Sequence, residues 1–325
     1  SGTDCRTPSA AVFESRYQKE DDKGKEENAN AQRCASATNA AEPAAAAAPE
    51  PQPSGPIDGA SGEASSGLSF GAASLQGKRA ENEDAHVAEP SWNEQYALFA
   101  VFDGHGGSDA SSYCQTKLPV LLQENWNADD IETSLKDTFV ATDRKYMKKG
   151  NDDGTTALVA VLDTRSGAVW VANAGDSRAV LVRAADGSVV ELSADHKPSV
   201  PEEKKRIEAA TFEIKIETIV QHGKRVKVAR VDGKLAVSRA IGDDTFKDTD
   251  DEPSTWAVTS VPDVRRAQLQ KGDFIVMACD GLWDVCANAD VAKFVSEKVG
   301  SEQDYDKLAE ELANYAIGKG SDDNV

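Results

Sequence analysis

Short apolar runs separated by tight, glycine-bearing turns constrain this chain more than any other feature. Residues 157–162 and 168–172 are joined through Thr164-Arg165-Ser166-Gly167, and residues 179–182 lead into Ala185-Asp186-Gly187-Ser188. Connections this short reverse the chain, whereas a parallel crossover needs a dozen residues or more. Consecutive strands are therefore expected to be antiparallel, which argues against a Rossmann-type alternation. Residues 97–102 and 274–278 read as further strands on the same grounds.

Helices show the other period. Ile131, Leu135, Thr138, Phe139, Thr142 and Tyr146 fall on one stripe, with Asp129 and Asp130 placed to cap its start, and Tyr305, Leu308, Leu312 and Tyr315 form a second stripe. Strands grouped with strands and helices with helices predict an α+β domain whose helices cover the outer faces of antiparallel sheets. The domain is expected over residues 68–325. Residues 1–67 differ in kind: five of the twelve prolines lie between Ala41 and Ser66, beside an Ala44–Ala48 run and with Ile57 as the sole large apolar side chain. Such a stretch cannot bury enough surface to offset its ordering entropy and reads as a linker. Ahead of it, Glu20, Asp21, Asp22, Glu26 and Glu27 mark a solvated or loosely docked tail, in which Val12, Phe13 and Tyr17 form at most one amphipathic turn.

Charge narrows the function. The chain carries 36 Lys and Arg against 56 Asp and Glu, a net charge of −20. Binding nucleic acid or an anionic membrane needs clustered cations, so neither is an expected partner. The longest apolar run, residues 96–102, is far short of the roughly 20 residues that span a bilayer. No secretory or myristoylation signal is visible, which predicts a soluble cytoplasmic or nuclear protein. Five scattered cysteines without a C-x-x-C pair fit a reducing compartment better than a disulfide framework or a zinc site.

The acids sit where strands end. Asp103 follows one apolar run, Asp280 another and Asp176 a third, the first two with Gly immediately after. Asp-Gly is also a common turn dipeptide, so each position alone reads as a turn. Glu81-Asn82-Glu83-Asp84 and Asp322-Asp323-Asn324 add loop carboxylates at the two ends of the domain. Carboxylates gathered in one place repel unless a cation neutralises them, and oxygen donors alone select Mg²⁺ or Mn²⁺ over zinc. Arg79 has the geometry to grip phosphate oxygens, and His105 lies in a Gly-rich turn where it can pass a proton. A nucleotide-binding P-loop at Gly71–Lys78 fails on spacing. A cysteine nucleophile of the phosphatase type fails too, because no cysteine has Arg six residues on: those positions hold Ala11, Ala40, Val120, Val285 and Ala292.

The ordered set of Arg79-Ala80-Glu81-Asn82-Glu83-Asp84, Phe102-Asp103-Gly104-His105-Gly106-Gly107, Gly154-Thr155-Thr156-Ala157, Gly175-Asp176-Ser177-Arg178, Ser238-Arg239-Ala240-Ile241-Gly242-Asp243, Cys279-Asp280-Gly281-Leu282-Trp283-Asp284 and Ser321-Asp322-Asp323-Asn324 resembles the PP2C family of metal-dependent protein serine/threonine phosphatases. The resemblance runs from about Leu68 to the last residue. It implies a β-sandwich of two antiparallel sheets flanked by helices, in four layers α-β-β-α, with a two-metal site at one end. It further implies that Glu83, Asp84, Asp103, the Gly104 carbonyl, Asp280 and Asp323 hold two Mn²⁺ or Mg²⁺ ions, and that Asp176 joins Asp280 at a third, weaker position. Arg79 would bind the substrate phosphate, and His105 would act as general acid while a metal-bridging water attacks phosphoserine or phosphothreonine directly. Phosphorylated proteins are the implied partners, and a monomer is expected.

Two departures from the family pattern carry expectations of their own. After Arg206-Ile207-Glu208-Ala209, where many relatives have Gly-Gly, the chain runs Ala210-Thr211-Phe212, so substrate preference in this flap region is expected to differ. The chain also stops at Val325, where relatives continue into a core strand, so a domain truncated there and a fraying Asp323 are expected. The alternative function is a catalytically impaired scaffold or phosphoprotein-binding module. It is disfavoured because Glu83, Asp84, Asp103, Asp280 and Asp323 are all present.

Overall fold

The computed structural model describes residues 10–15, 62–63, 68–221, 224–299 and 304–325. Apart from Gly62–Glu63, the expected linker and acidic tail lie outside these residues, as do Cys5, Cys34, Tyr17 and His222. Along the chain run β1 (Ala10–Ser15), β2 (Gly62–Glu63), β3 (Leu68–Ala73), β4 (Ala85–Glu89), β5 (Tyr96–Phe102) and β6 (Gly104–His105), then α1 (Asp109–Glu124) and α2 (Ile131–Met147). Next come β7 (Gly154–Thr155), β8 (Ala157–Asp163), β9 (Ala168–Ala174), β10 (Arg178–Val182), β11 (Val189–Glu191) and α3 (Pro201–Ala209). A hairpin, β12 (Ile214–Gln221) with β13 (Lys224–Val231), precedes β14 (Ile241–Gly242), β15 (Asp263–Gln268) and β16 (Phe274–Ala278). Helices α4 (Asp280–Trp283), α5 (Asn288–Ser296) and α6 (Tyr305–Gly318) complete the chain.

Two antiparallel sheets form the centre, one ordered β11-β10-β16-β1-β3-β2 and the other β15-β9-β8-β5-β4. Strand β5 shows why its whole run is apolar. Leu98, Ala100 and Phe102 on one face pack with Leu118 and Leu122 of α1 and Leu135 and Phe139 of α2. Ala97, Phe99 and Val101 on the other face meet Phe70, Leu181, Ile275 and Met277 of the opposite sheet. The outer face of that sheet, through Val180, Phe274 and Val276, buries Val291 of α5 and Leu308 and Leu312 of α6. The result is the expected four-layer α+β sandwich, with side chains alternating between two cores as the pleat dictates. Among the described residues no helix is long and apolar enough to cross a membrane.

Local signals behave as expected in most places. Gly167 N–H closes the β8–β9 turn onto the Asp163 carbonyl at 2.8 Å, and the Asp130 carboxylate caps α2 by accepting from Thr133 N–H at 3.1 Å. Two elements differ. Ala10–Ser15, expected to be a solvated tail or amphipathic turn, is a strand lying between β3 and β16, with Val12 opposite both Gly71 and Val276. Its ladder partners are distant in sequence, so no local periodicity announces it. Helix α1 carries Pro119 in its interior, which hides its helical period in the sequence.

Two buried ion clusters brace the end of the sandwich where the acids gather. Lys247 Nζ lies 2.9 and 2.8 Å from the two Asp143 carboxylate oxygens, both side chains fully buried, and Gly242 N–H donates to Asp143 Oδ1 at 2.8 Å. Glu203 of α3 accepts from Arg239 Nη2 at 2.7 Å and pairs with Arg206 Nη1 at 2.8 Å. These ties fix residues 238–247 against α2 and α3.

Candidate metal centre

The sandwich delivers carboxylates from both sheets to one end. Asp103 leaves β5, Asp84 enters the neighbouring β4, Asp176 leaves β9, and Asp280 leaves β16 in the other sheet. One oxygen each of Asp103, Asp176 and Asp280 lie within 4.8 Å of one another, and Asp103 and Asp84 form a second such group with the Cys279 thiol. Asp103 is thus common to two adjacent groups. Gly104 and Gly281 are required beside these acids, because a Cβ would lie 2.3 Å from the Glu83 carbonyl oxygen at the first and 1.9 Å from the Asn324 carbonyl oxygen at the second. The loops approach so closely that only the bare backbone fits.

Electrostatics sets this cluster apart from ordinary surface acids. Burial, then Asp280, Asp84, Asp176 and Asp323, push the Asp103 carboxyl well above the usual carboxylate range. Asp280 is raised in the same way by burial and then by Asp176, Asp284 and Asp323. Burial, then Asp84 and Asp103 beside it, hold Cys279 as the thiol. Two cations answer this charge from the rim: Lys197 Nζ sits 3.4 Å from Asp176 and 3.5 Å from Asp284, and Arg79 Nη2 sits 2.6 Å from Asp323. Clustered carboxylates that raise one another's pKa, with oxygen as the dominant donor, fit hard divalent cations.

The remaining expected residues fall around the same cleft of about 780 Å³. Glu83, Asp103, Gly104, His105, Asp176, Asp280, Asp323 and Arg79 all line it. Asp84 sits below, buried at the Asp103–Cys279 group. The guanidinium of Arg79 meets Asp323 through Nη2 while remaining part of the cleft lining. Asp323, expected to fray, is instead held by its neighbours. Val325 N–H donates to the Leu75 carbonyl at 2.9 Å, Leu75 N–H returns a bond to Val325 at 2.7 Å, and Val325 is fully buried. Asn324 donates to the carbonyls of Gln76 and Glu81 and accepts from Glu83 N–H. The last residues therefore clasp the loop that carries Arg79, Glu83 and Asp84.

Three residues escaped sequence reasoning. Asp243 Oδ2 lies 2.8 Å from His105 Nε2, and although burial works to lower the imidazole pKa, this carboxylate together with Asp176 and Glu83 leaves His105 above its ordinary value. Asp243 sits in the left-handed region at φ 53°, a conformation Asp tolerates better than most residues and which costs free energy. Lys197 and Asp284 are the others. Only Asp243 and Asp284 lay inside motifs, and neither residue type nor spacing distinguished them there.

Comparison with known proteins follows this geometry. A family model described as protein phosphatase 2C matches residues 68–325. The chain is similar to protein phosphatase 1B of Rattus norvegicus, 34% identical over 288 residues, which cover 81% of this chain and 70% of the rat protein. It is similar also to protein phosphatase 2C homolog 2 of Hypocrea jecorina, 37% identical, across 78% of this chain and 59% of that one. Among solved structures, a phosphatase from a pathogenic strain of Toxoplasma gondii superposes with a TM-score of 0.67 at 28% identity, covering 78% of this chain and 88% of the other.

Proposed function

The chain belongs to the protein phosphatase 2C family, and from that premise we propose that it hydrolyses phosphoserine and phosphothreonine monoesters in proteins, with two Mn²⁺ or Mg²⁺ ions as cofactors. The observation that carries this reading is Asp103, a half-buried carboxylate shared by two neighbouring groups of potential ligands. Asp84, Asp103 and Asp280 would hold the ions, with Glu83, Asp323 and the Gly104 carbonyl completing the set and Asp176 serving a third position. When bound, the ions supply Lewis acidity, neutralising phosphoryl charge and lowering the pKa of water.

The chain's own residues do the rest. Arg79 is the phosphate grip, its planar fork suited to two oxygens at once. His105 gives its Nε2 hydrogen to Asp243, which leaves Nδ1 as the atom that carries a proton to the departing serine or threonine oxygen. The cleft admits a phosphorylated side chain beneath the β12–β13 hairpin, whose Gln221 reaches Asp284 Oδ2 at 2.7 Å. With every expected acid present, the impaired-scaffold alternative has no observation in its favour. The test is hydrolysis of an aryl phosphate by purified protein. Turnover is expected only with Mn²⁺ or Mg²⁺, and Asp103→Ala or Asp280→Ala is expected to abolish it; activity that survives chelation or either substitution discards the reading.

A further inference from the structure

The chain is strongly acidic, yet one wall of its cleft is basic. Residues 214–235, the β12–β13 hairpin and the turn after it, carry six Lys and Arg against two Asp and Glu in a chain of net charge −20. The cleft floor is the carboxylate cluster, and the hairpin contributes Lys227, Arg230 and Lys234 to the lining. Arg230 is spoken for, 3.8 Å from Glu217 and donating to the Lys234 carbonyl. Lys227 and Lys234 have no carboxylate partner among the described residues. Ile216 and Val220 of the same hairpin are 68% and 72% exposed, the two most exposed large apolar side chains described. Strand pairing sets Thr218 opposite Lys227 and Val220 opposite Arg225, so Val220 and Lys227 share one face.

Taking the phosphatase reading as its basis, we infer that this wall selects substrates, binding acidic residues that flank the phosphorylated serine or threonine. An acidic peptide is repelled by the molecule as a whole, so productive approach needs a local positive field beside the site, and Lys227 and Lys234 supply it. The exposed Ile216 and Val220 give the same peptide apolar surface to lie against.

The experiment uses the full chain with Mn²⁺ and three synthetic phosphothreonine peptides that differ only in having Glu, Gln or Lys around the phosphorylated residue. The expected result is a kcat/KM about tenfold higher for the Glu peptide than for the Lys peptide, expressed mainly in KM and shrinking as salt is raised. Lys227→Gln with Lys234→Gln is expected to level the series, and Lys227→Glu with Lys234→Glu to invert it. Equal rates on the three peptides with the unaltered chain, or an acidic preference that survives both double variants, overturn the inference. p-Nitrophenyl phosphate separates the two readings: no hydrolysis of it removes the phosphatase reading and this inference together, whereas hydrolysis without peptide preference removes the inference alone.

Discussion

His105 and Asp243 lie 138 positions apart in sequence, and their side chains meet at 2.8 Å. The pairing orients the imidazole and stabilises its protonated form, the state a general acid must start from. Asp243→Asn is therefore expected to lower kcat on a phosphothreonine peptide by about a hundredfold. On p-nitrophenyl phosphate, whose leaving group departs without a proton, the loss should be much smaller; equal losses on both substrates would assign Asp243 to folding alone. Residues proposed to meet a ligand were legible in the sequence because their chemistry is written in their type: Asp103, Asp280 and His105 could be picked out as an acid, an acid and a proton carrier. Residues that act by holding another were not. Asp243 stood inside Ser238-Arg239-Ala240-Ile241-Gly242-Asp243 with no assigned role, and Lys197 lay outside every motif, since what defines each is a neighbour supplied by tertiary folding.

Elements were legible where their own sequence decides them. Strand β5 is apolar throughout because both faces are covered, and the observed Tyr96–Phe102 extends the expected run by one residue. Helix α2 begins at Ile131, directly after the Asp130 cap. Strand β1 and the terminal clasp depend on partners far along the chain, and their sequences carry no sign of them. The clasp has a measurable consequence for the site. Asn324 makes three hydrogen bonds into residues 76–83 while only 5% exposed. Asn324→Ala leaves those groups unpaired, at a cost of about 1–3 kcal/mol. Thermal unfolding should fall accordingly, and calorimetric titration should show weaker Mn²⁺ binding, because the loop bearing Glu83 and Asp84 loses its anchor. Unchanged affinity would separate the clasp from the metal centre.

For the molecule as a whole, the carboxylate cluster is a stored repulsion that the sandwich holds together. Asp103 and Asp280 are both pushed above the ordinary carboxylate range, so keeping them ionised at neutral pH opposes folding until a cation is bound. Ions that bind the native state and not the unfolded chain raise Tm by mass action, here by about 5 °C or more at saturating Mn²⁺ or Mg²⁺. In chelator, Asp103→Asn should melt above the unaltered protein, and added ions should move it far less; a variant that melts lower in chelator would contradict this account of the cluster. The position of β1 matters on the same scale. It is hydrogen-bonded to β3 on one side and β16 on the other, and those two strands are not neighbours of each other. The sheet beneath α6 is therefore completed by a single six-residue ribbon from far upstream in sequence, as a keystone completes an arch. A short synthetic peptide of that sequence, added to a chain that begins at Gly62, has a ready-made slot to occupy, which makes the molecule a natural subject for fragment complementation.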